Sequence, residues 1–254
     1  MKLAIITAIH GRPLMTVAFL KAMSRIEHEF GVKTYAVVTE CDEENISSLE
    51  HYGINHIEHC NKPVGQKFNR VVKYLDHTDF THVLILGSDD IPSSRFIEHT
   101  LTLDEYDIAG VAGLWFWGLN PRRAGFERFG YFGIKGVMAG AGKLVSRKVI
   151  EAVNYAPWGD RCNYGMDANM MKNIRDSINK LGLKLRIHRY SLIDTGGFLM
   201  DVKYGHHISS MSPIIRRESF IESDPYEVLV NHLPEDEIVY LSHLHKLAKE
   251  KEKK

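Results

Sequence analysis

Short apolar runs alternate with stretches of helical spacing over the first third of the chain. Residues 3 to 9 read Leu-Ala-Ile-Ile-Thr-Ala-Ile, a run that predicts a strand buried on both faces. Gly11 and Pro13 turn the chain into a helix on which Met15, Ala18, Phe19, Ala22 and Ile26 share one face, and Gly31 ends it. A second strand is predicted over 34–39, followed by a helix that Asp42 can cap and Gly53 stops. A short strand near 54–57 leads to the loop Asn61-Lys62-Pro63-Val64-Gly65. Phe68, Val71, Val72 and Leu75 then mark another helical face, and Val83-Leu84-Ile85-Leu86 a buried strand. Strand, helix, strand, helix in this rhythm predicts an α/β fold on a doubly wound, mostly parallel sheet flanked by helices.

The texture changes after residue 92. Residues 107–117 predict one further strand, and 113–142 are rich in glycine and aromatics, which suits β-ribbon and mobile loop. Helices are predicted from Ser146 to Asn154 and from Asp167 to Leu181, closed by Gly182, with short strands over 184–195. A last helix starts at Pro234-Glu235-Asp236-Glu237 and ends in Lys-rich sequence, a charge order that suits its dipole. Its Ile238, Leu241, Leu244 and Leu247 or Ala248 can dock on the domain, on a second subunit or on a membrane surface, the domain being favoured. No Pro/Ser-rich linker and no repeat divides the chain, so the two halves read as one continuous fold.

Composition narrows the class. At 254 residues, with 44% hydrophobic and 25% charged residues, the chain builds a sizeable core of ordinary globular type. Lys+Arg and Asp+Glu are both 32, so net charge exerts no general pull toward nucleic acid or membrane. Cys41, Cys60 and Cys162 are odd in number and widely spaced, which disfavours a disulfide framework or zinc site and points to a reducing, cytoplasmic compartment. The apolar run at the N-terminus is too short for a signal peptide, and no stretch approaches the ~18 residues of a membrane span.

The chemistry concentrates where the fourth predicted strand ends, at Gly87-Ser88-Asp89-Asp90. Open α/β sheets bind ligands beyond the carboxyl ends of their strands. Paired carboxylates there can hold Mg²⁺ or Mn²⁺, and the ion in turn a diphosphate; a plain turn is the other reading of Ser, Asp and Pro92. Other nucleotide signatures fail. Ala8-Ile9-His10-Gly11-Arg12-Pro13 is no GxGxxG, and Gly140-Ala141-Gly142 lacks a third glycine. Gly142-Lys143 is followed by Leu144 where a P-loop needs Ser or Thr.

The order of these features resembles the inverting, nucleotide-sugar-dependent glycosyltransferases of the GT-A fold, family 2 above all, over roughly residues 1–210. Thr7 to Pro13 is similar to the turn after that family's first strand, which places Ala8, His10 and Arg12 at the nucleotide. Val38-Thr39-Glu40 matches the acidic end of the second strand, with Glu40 for the usual Asp, and Gly65-Gln66-Lys67-Phe68-Asn69 matches a loop whose Gly65, Lys67 and Asn69 meet the nucleotide. Leu86-Gly87-Ser88-Asp89-Asp90 resembles the Leu-Asp-Ser-Asp-Asp metal motif, with Gly87 in place of the first Asp. The resemblance implies Asp90 as metal ligand, Asp89 as metal or ribose partner beside Ser88, and His206 or His207 completing the metal site. Gly165-Met166-Asp167 is similar to the motif that carries the family's catalytic base, Met166 replacing a common Glu; a helix cap is the other reading of Asp167.

The resemblance implies a GT-A domain over 1–235, with a nucleotide-binding half at 1–92 and an acceptor half at 93–235, then a C-terminal helix and Lys-rich tail at 236–254. The implied activity is inverting transfer of a sugar from a nucleotide-sugar, a UDP-sugar being favoured, to a hydroxyl acceptor, with Mn²⁺ or Mg²⁺. Lys67 would add positive charge at the diphosphate. Trp158 and Tyr164, just before Asp167, are acceptor-site candidates, whereas Trp115, Phe116, Trp117, Phe126, Phe129, Tyr131 and Phe132 read equally as sugar floor or sheet core. Between 121 and 150 seven basic residues, including Arg122, Arg123 and Arg128, face a single acid, Glu127. They read as a solvated face or as contacts to a phosphate-bearing acceptor: a glycan, a lipid or modified DNA. Two other functions stay open, a nucleotidyltransferase on a related sheet and a sugar- or nucleic-acid-binding module without catalysis. Pyrophosphate release from a nucleoside triphosphate marks the first, and absence of nucleotide-sugar hydrolysis the second.

Overall fold

The computed structural model describes residues 1–119, 128–204 and 220–252. The first half follows the predicted rhythm: β1 (Leu3–Ile9), α1 (Pro13–Phe30), β2 (Lys33–Thr39), α2 (Glu43–His51), β3 (Asn55–His59), α3 (Val64–Tyr74) and β4 (His82–Ile85). Two short elements come next, β5 (Asp90–Pro92) and α4 (Ser94–Leu101). Then follow β6 (Ile108–Val111), β7 (Gly113–Gly118), β8 (Phe129–Gly133), β9 (Lys143–Ser146), α5 (Arg147–Ala152) and α6 (Met166–Lys180). The chain closes with β10 (Ile187–Tyr190), α7 (Leu192–Thr195), β11 (Leu199–Lys203), β12 (Phe220–Glu222), α8 (Pro225–Leu229) and α9 (Glu235–Glu252).

Seven strands form the main sheet in the order β10-β6-β9-β4-β1-β2-β3. All neighbours run parallel except β9, which is antiparallel to β4 and β6. The continuous apolar runs follow from burial on both faces. Ile5, Ala36, Val38 and Leu84 pack with Phe19 and Met23 of α1, whereas Ala4, Ile6, Val37 and Val83 pack with Val71 and Val72 of α3 and Ile174 of α6.

Two predicted elements are corrected. The single strand expected over 107–117 is two: β6 belongs to the main sheet and β7 to a second one, ordered β12-β8-β7-β11-β5. The chain bends at Ala112, whose N–H donates to Tyr190 while its carbonyl accepts from Ile134, so the same apolar run serves two sheets. Of the strands expected over 184–195, only β10 forms; Ser191 caps α7 by accepting from the Asp194 N–H.

The C-terminal helix α9 docks on the domain. Leu241, Leu244 and Ala248 are buried. Glu237, 4% exposed, accepts from Arg25 at 2.7 Å, and Lys21 pairs with Asp236 at 2.9 Å. Tyr240 donates to the Leu14 carbonyl at 3.0 Å. No described helix is long and apolar enough to cross a membrane.

Candidate active site

The carboxyl ends of β4, β1 and β2 lie side by side and carry most of the residues expected at a nucleotide. The turn after β1 is the most constrained. Gly11 and Arg12 both have positive φ, and the Arg12 carbonyl accepts from Met15 and Thr16 to start α1. Asp42 does not cap α2 through its side chain. Its carboxylate accepts from the Gly11 N–H and from Asn45, both at 2.8 Å, and so clamps the turn instead. That conformation aims the Arg12 guanidinium at the acidic motif, 2.8 Å from Asp89 and 3.1 Å from the Ser88 hydroxyl.

The acidic motif closes on itself. The Gly87 N–H donates to the Asp90 carboxylate. A β-carbon on Gly87 would stand 2.8 Å from Asp89 Oδ1 and 3.1 Å from Asp90 Oδ2. A side chain at Gly87 would therefore require the Asp89 carboxylate to move. Asp90 opens β5, and β5 pairs antiparallel with β11 so that Asp90 and Asp201 stand opposite each other. Adjacent β11 also donates its Val202 N–H to the Asp89 carbonyl. Asp89, Asp90 and Asp201 thereby bring one carboxylate oxygen each to within 4.8 Å of one another.

The third carboxylate, Asp201, is a residue sequence reasoning missed. His206 and His207, expected to complete this site, lie outside the described residues. The cluster is costly to charge. Burial, then the neighbouring charges of Asp201 and Asp89, push the Asp90 carboxyl well above the usual carboxylate range. Burial raises Asp201 to about 6 against the opposing pull of Lys203. Asp201 Oδ1 is buried without a hydrogen-bond partner among the described residues. Three converging carboxylates with an orphaned oxygen fit a hard divalent cation, which takes oxygen ligands.

Lys67, expected at the nucleotide, lies beneath the turn after β1. It is 1% exposed, and its ammonium donates to the Ile9 carbonyl at 2.5 Å and to the Thr39 hydroxyl at 2.7 Å. It ties β1 to β2 under the turn. His10 and Glu40 are exposed at the same strand ends; His10 Nδ1 lies 3.0 Å from the Thr39 hydroxyl. Burial pushes Lys67 down to about 8. The unfolded chain holds that proton to about pH 10.4. Between these limits the unfolded state binds more protons, so stability rises with pH. Wild type should therefore gain on Lys67→Met between pH of about 8 and 10.4, by at most about 3 kcal/mol. Urea unfolding across that range measures the difference, and a pH-independent gap would contradict it.

Gly65 and Asn69 serve the opposite wall. The Gly65 N–H donates to the Cys162 carbonyl, and the Asn69 side chain both donates to and accepts from the Trp158 backbone, at 2.8 and 3.1 Å. They bracket the loop that carries Trp158, which is 4% exposed and packs on Phe68 at 4.9 Å between ring centroids, the rings tilted by 38°. Tyr164 is 76% exposed, outside this wall.

Asp167 lies in the first turn of α6 but does not cap it. The N-cap is Gly165, in the left-handed region, and no side chain caps the helix. The Asp167 carboxylate instead lies over Gly140, where a β-carbon would come within 2.2 Å of Oδ2. Lys143, 1% exposed at the start of β9, reaches Asp167 Oδ1 at 3.5 Å; burial lowers the pKa of this lysine. A cleft of about 360 Å³ is lined by Asp89, Asp90 and Asp201 together with Asp167, Gly140 and Trp158. A second hollow of about 420 Å³, at Met1, Lys2, Phe30 and Lys33, lies at the opposite strand ends, away from these carboxylates.

Among the described residues, the basic stretch does not form one patch. Lys143 is committed to Asp167, Arg147 to Glu151 and Lys148 to Asp107. Arg128 is exposed, and Arg122 and Arg123 lie outside the described residues. Of the aromatics, Phe116 and Phe132 line the cleft, and Trp117 is buried in the second sheet.

The sheet order, the antiparallel β9 and the acidic cluster at the end of β4 define a GT-A fold, the fold of nucleotide-sugar glycosyltransferases. Among solved structures, S. aureus TarS 1–349 in complex with UDP superposes with a TM-score of 0.57 at 13% identity, over 80% of this chain and 61% of that one. Glucosyl-3-phosphoglycerate synthase from Mycobacterium tuberculosis, in complex with phosphoglyceric acid, gives 0.51 at 12% identity over 84% and 74%. An inositol-1-phosphate CTP transferase from T. maritima gives 0.47 at 13% identity over 98% and 97%. The chain thus spans about three fifths of the TarS fragment. No family model and no curated protein matches its sequence.

Proposed function

We propose that this chain is a glycosyltransferase that moves a sugar from a nucleotide-sugar, a UDP-sugar, to an acceptor hydroxyl with inversion. The observation that carries the reading is the shared cleft: an acidic cluster suited to a cation and a separate carboxylate, Asp167, line the same space. A neighbour of the same fold holds UDP.

The chain's own groups divide the work. Asp167, held over Gly140, takes the proton from the acceptor hydroxyl as its oxygen attacks the anomeric carbon. The bond from that carbon to the diphosphate oxygen breaks, and its electron pair leaves with the diphosphate. One carboxylate suffices for such an in-line displacement. Asp89, Asp90 and Asp201 would hold Mn²⁺ or Mg²⁺, with His206 or His207 as a further ligand; the ion supplies Lewis-acid neutralisation of the leaving group. Arg12 orients Asp89 at the cleft. His10, Glu40 and Ser88 stand at the strand ends where the nucleoside would lie, and Trp158 forms an apolar wall for sugar or acceptor. A phosphate-bearing acceptor rests on Arg122, Arg123, Arg128 and Lys135, since Lys143, Arg147 and Lys148 are committed to carboxylates.

A thermal-shift series with nucleoside diphosphates and nucleotide-sugars, with and without Mn²⁺, tests the reading. UDP at 100 times its dissociation constant should stabilise the protein by about 2.7 kcal/mol, with UDP then released from a UDP-sugar. Stabilisation by nucleoside triphosphates alone, with pyrophosphate released, would make it a nucleotidyltransferase instead.

A further inference from the structure

Lys203 is a cation built into the acidic cluster. It sits two residues beyond Asp201 on β11, on the same face of the strand. Its side chain is 8% exposed, and its ammonium lies 2.6 Å from Asp201 Oδ2 and 3.8 Å from Asp89 Oδ2. Arg12 reaches the same Asp89 oxygen at 2.8 Å. Three carboxylates thus face two fixed cations before any ion arrives.

We propose that Lys203 is an internal counter-ion that holds down the affinity of this site for a free divalent cation, so that the ion binds well only together with a diphosphate. The inference rests on Asp89, Asp90 and Asp201 being the metal ligands. A divalent ion on the orphaned Asp201 Oδ1 would share one carboxylate with the ammonium on Oδ2. Two cations at that separation repel strongly where solvent is scarce. A nucleoside diphosphate changes the balance, because its phosphate oxygens give both cations an anion to face. The opposite effect is also physical: a lysine that orients a ligand helps the metal, and losing such a partner costs about 10- to 100-fold in affinity. Here that orientation comes from elsewhere. Asp201 is fixed by the strand pairing that sets it opposite Asp90, and the neighbouring Val202 N–H is anchored on the Asp89 carbonyl. The lysine's charge therefore decides the sign.

Titration of the full chain with Mn²⁺, followed by the paramagnetic resonance signal of the free ion, reads the effect without any turnover. Without nucleotide, Lys203→Met should bind Mn²⁺ at least about 10-fold more tightly than wild type, since one charge at close range outweighs the orienting effect. Lys203→Gln should tighten binding as well, and Lys203→Arg, which keeps the charge, should stay near wild type. Adding UDP should tighten Mn²⁺ binding more in wild type than in Lys203→Met. If Lys203→Met does not fold, the Gln and Arg variants decide the question alone. Equal or weaker Mn²⁺ binding by the neutral variants overturns the inference and leaves the metal site standing. Failure of every form to bind Mn²⁺, with or without UDP, overturns the metal site and the inference together.

Discussion

Asp167→Asn should lower sugar transfer by about 10²- to 10⁴-fold, the range of general-base catalysis, and leave UDP affinity unchanged. The fold should survive, because Asp167 does not cap α6 and its carboxylate is at the rim of the cleft rather than in the core. Asparagine is the right replacement. It keeps a polar oxygen in reach of the buried Lys143, whereas alanine would leave that lysine without the one partner described for it. Gly140→Ala supplies an independent approach to the same group. The added methyl would meet the Asp167 carboxylate at 2.2 to 2.5 Å, the far end of a flexible side chain, so the carboxylate moves and the backbone stays. That variant should also keep UDP binding and lose transfer. The two measurements are UDP affinity by calorimetry and the rate of UDP release from a UDP-sugar. Transfer at the wild-type rate in Asp167→Asn would leave the residue a surface carboxylate and remove the base from the proposal.

The difference between what was legible in the sequence and what was not has a physical cause. The main sheet was legible because both its faces are buried: residues such as Ile5 and Ile6 enter opposite cores, so the run is continuous, and Gly31 and Gly53 after α1 and α2 stand out. The second sheet was not, because its strands come from distant segments, and β6 and β7 form one apolar run divided only by the bend at Ala112. The same contrast holds in the site. Asp89, Asp90 and Asp167 stand out as local motifs, and the structure brings them to one cleft. Asp201 reaches Asp90 only through the pairing of β11 with β5, which no local pattern announces. Lys67 shows the converse. Its place in a Gly-Gln-Lys motif suggested a phosphate contact, but its position on α3 directs the ammonium under the turn after β1.

Asp90→Asn and Asp201→Asn should each abolish the Mn²⁺-dependent part of UDP binding. Residues that merely support a ligand are worth about 10- to 100-fold in metal affinity, so loss of a carboxylate that touches the ion should exceed about 100-fold. Neither change should unfold the protein. Asp90 is 3% exposed, and its carboxyl is pushed upward by burial and by its two acidic neighbours, so in the metal-free chain its charge opposes folding. The sign follows from proton counting. An acid whose pKa is raised on folding binds more protons in the folded state, so stability falls as pH rises from the unfolded value toward the folded one. For Asp201 that window runs from the ordinary carboxylate value up to about 6. Metal-free wild type should therefore lose stability relative to Asp90→Asn as pH rises from about 4 into the neutral range, where the ordinary carboxylate has already ionised. Mn²⁺ should reverse the order at neutral pH, because it stabilises only the form with all three carboxylates. Thermal melts of wild type and both variants, with and without Mn²⁺, read all of this at once. Melting temperatures that respond to Mn²⁺ equally in wild type and Asp90→Asn would place the ion elsewhere.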